Sequence, residues 1–219
     1  MRHRTLASVT ATALLLAGTL AFGAGVPTPT GKTSTLYGGE RLEPKTIVLG
    51  ASTGYPKTTF DAYFGLTRIF DLGIHFGITY GARLAGIRQR VGMDFHLPLR
   101  FTVIQQRSLS AGVRLAPYFM VGEGSPSIST GGDIAFLFDI ALPKLFKIIV
   151  GPEVRTGFAS VGDRNRIRGY DGGGWVNIGA ETLLIDRIHL GWIFHGGAQW
   201  GRLGVDGVFR AVLYVGVRL

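Results

Sequence analysis

The chain contains no cysteine, which excludes disulfides, thiol catalysis, thiolate metal sites and a lipid-modified cysteine at a mature N-terminus. Charge is also scarce: 17% of the residues are Asp, Glu, Lys or Arg, against about 25% in an ordinary soluble domain. Little of the surface can therefore be covered by ionic side chains. Beyond the N-terminus no unbroken apolar run reaches the roughly 18 residues that a membrane helix needs, although 46% of the chain is hydrophobic and the mean hydropathy is +0.28. That apolarity must be interleaved with something, and the interleaving residue is mostly glycine. The 34 glycines and 9 prolines argue against a helical bundle, because each helical glycine costs about 1 kcal/mol relative to alanine. Strands and turns remain, and 219 residues suit one sizeable domain with a terminal extension.

Arg2 and Arg4 precede an apolar stretch from Leu6 to Phe22, and the small residues Ala21, Gly23, Ala24 and Gly25 lie at and beyond its end. Residues 1–23 read as a secretory signal peptide cleaved near Gly23. Residues 24–44 are rich in Thr, Pro, Gly and charge without a sustained period, and read as a mobile periplasmic lead-in. Within them Thr30-Gly31-Lys32-Thr33 has the wrong spacing for a phosphate loop, and no strand precedes it.

From Thr46 onward the sequence alternates with a period of two, the signature of strands whose successive side chains point to opposite faces. Leu190, Trp192 and Phe194 share one face, while His189, Gly191, Ile193 and His195 share the other. Val91, Met93, Phe95, Leu97 and Phe101 oppose Gly92, Asp94, His96, Pro98 and Arg100 in the same way. About ten such segments start near Thr46, Thr59, Leu72, Ile87, Leu109, Asp133, Lys147, Trp175, Arg187 and Val208, each close to the 9–11 residues of a tilted bilayer-crossing strand. Eight strands is the alternative count.

The apolar faces carry no charge, whereas the opposite faces combine glycine with scattered Arg, Asp and His. A soluble barrel needs a charged exterior, so the oily face is expected outward, against lipid, where a mid-membrane Arg or Lys costs about 2–4 kcal/mol. Short connections around Arg68, Gln106-Arg107-Ser108, Pro143-Lys144-Leu145 and Asp186 read as periplasmic turns. The stretches from Gly122 to Gly132 and from Gly162 to Gly174 read as longer external loops.

Signal peptide, Gly-rich alternating strands, turns of the type Arg68-Ile69-Phe70-Asp71 and a terminal strand together resemble the small bacterial outer-membrane β-barrel proteins. The last residue of that class is often aromatic, whereas here it is Leu219. The resemblance covers residues 45–219 and implies an antiparallel up-and-down transmembrane barrel that is structural or forms a narrow pore for small solutes. Phe60, Tyr80, Phe119, Phe158, Trp200 and Phe209 suit an aromatic girdle. The implied partners are outer-membrane lipid, lipopolysaccharide and the outer-membrane assembly machinery.

The polar faces place Asp61, His75, Arg90, Asp94, His96, Arg100, Arg114, Asp139, Glu153, Arg155, Glu181, His195 and Arg210 in a lumen network. Matching apolar faces across a two-residue turn at Ala85-Gly86 sets His75 opposite His96, with Asp94 on the same face. The same parity across Pro143-Lys144-Leu145 sets Asp133 opposite Arg155 as an ion pair. The run Arg164, Arg166 and Arg168 is the expected contact for lipopolysaccharide phosphates. The facing His75 and His96 with Asp94 suggest a metal site or a proton-sensitive pair, but two histidines without a designed third ligand make a weak site and no metal centre is assigned. No catalytic group or cofactor is assigned, since no nucleophile and base are brought together by parity, and nothing favours nucleic acid. Two other readings stand beside the barrel pore: a soluble periplasmic barrel binding a small ligand, and an outer-membrane lipid-modifying enzyme.

Overall fold

The computed structural model describes residues 35–80, 83–84, 87–88, 91–106, 108–122, 127–142, 146–161, 167–184, 187–201 and 204–219. The signal-peptide segment and the lead-in as far as residue 34 lie outside the described residues, as do Arg90, Arg164, Arg166 and the side chain of Arg168.

The strands are β1 (Ile47–Tyr55), β2 (Lys57–Gly65), β3 (Phe70–Tyr80), β4 (Arg83–Leu84), β5 (Ile87–Arg88), β6 (Val91–His96), β7 (Leu99–Gln105), β8 (Leu109–Gly122), β9 (Ser127–Leu142), β10 (Phe146–Val161), β11 (Ile167–Leu184), β12 (Ile188–Gly201) and β13 (Gly204–Arg218). Neighbours in sequence pair antiparallel, and β13 returns to pair with β1, so the sheet closes on itself. The wall has ten strand positions, because β6 and β7 are successive pieces of one strand that both pair with β3 and β8. The break between them falls at Leu97-Pro98, where proline has no N–H to give to a ladder. The chain nevertheless stays in register there, with Gly73 N–H donating to Pro98 O and Leu97 N–H to Pro117 O. The short β4 and β5 pair with each other as a separate two-stranded sheet.

Burial follows the alternation, with the usual sense of inside and outside reversed. On β13, Leu213 is 64% exposed while its neighbours Val212 and Tyr214 are 9% and 4% exposed. On β3, Ile74, Phe76 and Ile78 face outward and His75 and Thr79 are buried. Among the strand residues whose side chains are described, no Asp, Glu, Lys or Arg is exposed. A closed sheet has no free edge to satisfy, so the backbone polar groups pair along the wall while the outer face stays oily, as a bilayer demands. Of the six girdle residues, Phe60, Tyr80, Phe119, Phe158 and Phe209 are exposed and Trp200 is half-buried.

Several strands run further than the sequence pattern indicates. β9 starts at Ser127 and not near Asp133, and β11 at Ile167 and not near Trp175. Most of the two stretches expected as external loops is therefore wall. Gly131-Gly132 and Gly172-Gly173-Gly174 fall in those stretches, and glycine carries no apolar signal from which a period can be read.

Candidate functional site

The lumen has two layers. Call the end with the connections near residues 66–69, 106–108, 143–145 and 185–187 the turn end, and the opposite end the loop end.

The turn-end layer is filled by residues 35–46. The sequence reading treats 24–44 as a lead-in outside the barrel, but Thr35, Leu36, Glu40, Arg41 and Leu42 are each between 0% and 3% exposed. Barrel diameter grows with strand number, and about eight strands is the size that wall side chains alone can fill. Ten strands with glycine on the inner face leave space, and this segment occupies it. Leu36 and Leu42 pack with Val48, Tyr63 and Tyr214 in an apolar cluster. Gly39 lies directly on the wall at Gly112: a Cβ on either glycine would strike the other's backbone.

The segment has no ladder of its own, so wall side chains must satisfy its backbone. Asp139 accepts from Gly39 N–H (2.9 Å), Glu40 N–H (2.7 Å) and the Thr35 hydroxyl (2.8 Å). Glu181 accepts from Leu36 N–H (2.9 Å), and also from the Tyr214 hydroxyl (2.7 Å) with His189 Nδ1 at 2.6 Å. Asp71 accepts from Leu42 N–H (2.9 Å), and Thr102 Oγ1 from Arg41 N–H (2.9 Å). Carbonyls are met by Arg100, whose Nη1 donates to Thr35 O (2.7 Å), Gly38 O (3.1 Å) and Leu36 O (3.2 Å). Its Nη2 donates to Asp71 (2.6 Å). Glu40 pairs with Lys147 and Glu43 with Arg218. Hydrogen bonds to charged groups contribute about 1.5–3 kcal/mol each, so these contacts favour the docked segment.

The loop-end layer is a chamber of about 80 Å³ lined in part by Lys57, His75, His96, Arg114, Arg155, His195 and Arg210. Arg155 lies opposite Asp133 in the β9–β10 register. Its Nε and Nη2 donate to the two carboxylate oxygens at 2.6 and 2.8 Å, with both side chains under a tenth exposed. The guanidinium also lies over the rings of Tyr118 and Trp175. Arg114 Nη2 and Asn177 Nδ2 donate to Glu153 at 2.8 and 3.0 Å. Arg210, opposite His195 on β12, stacks over Trp175 at 4.8 Å. Asp61 accepts from the Tyr37 hydroxyl at 2.6 Å, which ties the two layers together. His75 and His96 are cross-strand partners with ring centroids 5.1 Å apart.

The sequence-derived lumen set therefore divides. Asp61, His75, Asp94, His96, Arg114, Glu153, Arg155, His195 and Arg210 line the loop-end layer, while Arg100, Asp139 and Glu181 hold the segment at the turn end. Sequence reasoning missed Lys57, Asp71 and the whole of 35–46. Asp71 and Lys57 were legible by parity, since Asp71 shares the face of Gly73 and His75, and Lys57 that of Thr59 and Asp61. Both fall beside turns, which hid them.

An antiparallel barrel of ten closed strands, oily outside and charged within, is the architecture of the small bacterial outer-membrane β-barrels. No protein-family model and no curated protein matches the chain. Among solved structures it is similar to the N-terminal β-barrel domain of Pseudomonas aeruginosa OprF, at 10% identity and a TM-score of 0.37 over 81% of this chain and 100% of that one. It is also similar to the outer membrane channel DcaP of Acinetobacter baumannii, at 10% identity and a TM-score of 0.35 over 82% of this chain and 60% of that one.

Proposed function

We propose that the protein is an integral barrel of the bacterial outer membrane, exported by its residues 1–23, whose lumen is sealed by its own residues 35–46, so that its role is structural and it is not an open pore. One observation carries this reading: the segment crosses the turn-end half of the lumen with its backbone donors and acceptors met by wall side chains. A narrow path for small solutes would require that segment to leave. The oily exterior disfavours a soluble binding barrel, because such a face in water would drive association. With the turn end toward the periplasm, the run Arg164, Arg166 and Arg168 would stand among lipopolysaccharide phosphates.

Planar-bilayer recording of the full chain, together with cell fractionation and gel mobility of boiled against unboiled samples, tests the reading. Expected are outer-membrane recovery, a heat-modifiable band and no steady unitary steps from the wild type. The double variant Asp139→Ala/Glu181→Ala, which removes the two carboxylates that accept from residues 35–40, should give steps. Steady conductance from the wild type would refute the sealed state.

A further inference from the structure

A second arrangement lies in the loop-end layer. His75, Asp94 and His96 are buried and offer ligand atoms within 4.8 Å of one another. Between two of them stands the Lys57 ammonium, with Nζ 3.0 Å from His75 Nε2 and 3.1 Å from Asp94 Oδ2. His96 Nε2 is 3.0 Å from the same Asp94 oxygen. Because an ammonium only donates, His75 Nε2 must accept, and the ring proton belongs on Nδ1. That Nδ1 lies 2.5 Å from Asp61 Oδ1, and His96 Nδ1 lies 3.5 Å from Asp133 Oδ2. His75 is thus backed by a carboxylate on its far nitrogen, with the near nitrogen free to accept, whereas His96 Nε2 donates to Asp94 and must give up that proton to coordinate. Metal-binding histidines are oriented by carboxylates in this way.

We propose that His75, His96 and Asp94 form a site for one divalent transition-metal cation of the zinc class, with the Lys57 ammonium as its built-in competitor. Ligand chemistry supports the zinc class, since imidazole favours zinc, copper and nickel over magnesium or calcium.

Size is consistent as well. Zinc bonds of about 2.1 Å set ligand atoms about 3.4 Å apart, and His96 Nε2 and Asp94 Oδ2 already lie 3.0 Å from one another. Occupancy requires Lys57 to leave and His75 Nε2, which lies within 4.8 Å of the other two ligand atoms, to close on that pair. Lys57 begins β2 at the loop end and keeps 17% of its side chain exposed, so it can withdraw toward solvent. The adjoining chamber, which both histidines line, supplies water for the fourth position. Gly77, opposite Asp94, leaves room for the carboxylate, since a Cβ there would strike Asp94 Oδ1.

The test titrates the refolded full chain in detergent with Co²⁺, followed by its visible absorption, and then displaces it with Zn²⁺. Lys57→Met should bind one equivalent of Co²⁺ at least tenfold more tightly than the wild type, with the intense bands of a four-coordinate imidazole site. Adding Asp94→Asn in that background should abolish the signal. Heat-modifiable gel mobility certifies that each variant is folded, and Lys57→Gln replaces Lys57→Met if the latter does not fold. Absence of stoichiometric binding in the folded lysine variant would overturn the proposal, as would binding that ignores Asp94→Asn. Neither result depends on whether the barrel conducts.

Discussion

Arg100→Ala is the sharpest perturbation of the sealed lumen. The Arg100 side chain is 1% exposed and reaches in two directions. Nε and Nη2 hold Asp71, and Nη1 serves three carbonyls of the 35–46 segment. Truncation leaves Asp71, itself fully buried, without its counter-charge; one donor, Leu42 N–H, remains. Removing one partner of a buried pair costs about 3–5 kcal/mol. The orphaned carbonyls add to this, unless water enters the lumen to solvate them. Release of the segment relieves both penalties, because Asp71 and the carbonyls can then be hydrated. The loss should therefore fall on docking of the segment more than on closure of the wall.

At 1.4 kcal/mol per tenfold, a shift of that size enriches the undocked form about 100- to 4000-fold. Arg41 supplies the readout: it is a trypsin site only 2% exposed in the docked state. With opening and closing faster than cleavage, the rate at Arg41 follows the open population. Limited trypsinolysis of the folded barrel, read by mass spectrometry, should show cleavage after Arg41 rising about 100-fold or more in Arg100→Ala, with heat-modifiable mobility retained. Equal cleavage at Arg41 in the two proteins would refute the account of how the segment is held.

Two further perturbations address the wall. Arg155→Ala strands buried Asp133 and removes stacking on Tyr118 and Trp175, so urea unfolding in detergent should show a loss of about 3–5 kcal/mol; an unchanged midpoint would sink the register argument. Ile178→Arg places a charge on the outward face of β11, where Ile178 is 51% exposed. Insertion into vesicles should weaken by about 2–4 kcal/mol for a residue near the bilayer midplane, and undiminished insertion would mean that this face does not meet lipid.

The wall was legible because strand periodicity is rigid. With a side-chain period of two, a slip of one residue turns an entire strand inside out, so the apolar sets on β3 and β6 allow few registers. A two-residue turn then leaves His75 opposite His96, the partnership found. Parity also survives lengthening of a strand, so Asp133 and Arg155 remain partners although β9 begins earlier than its pattern indicates. The segment 35–46 gave no such handle. Its Leu36 and Leu42 are six residues apart with Tyr37 the one other large apolar residue between them, too sparse a pattern to mark a strand or a helix. Its conformation is set by groups more than a hundred residues away, such as Asp139 for Thr35 and Glu181 for Leu36. Local pattern cannot encode partners that the closed wall alone brings near.

The wall nonetheless carried a trace of its guest. In a lumen, a buried carboxylate must find donors, and the nearest candidates are its cross-strand neighbours. Asp133 has Arg155 directly opposite, as a self-sufficient wall requires. Asp139, six residues along the same face, has Ser110 and Ile149 opposite and no cation. Such a residue is too costly to bury unsatisfied, so its presence implies donors from outside the wall. Backbone N–H groups of an inserted segment are the donors it receives, from Gly39 and Glu40. Asp139→Asn keeps one acceptor and loses the charge, and it should loosen the segment less than Asp139→Leu, which keeps neither. If Asp139→Leu instead left Arg41 as protected from trypsin as in the wild type, the carboxylate would be a bystander and the inference from cation-free wall acids to inserted backbone would fail.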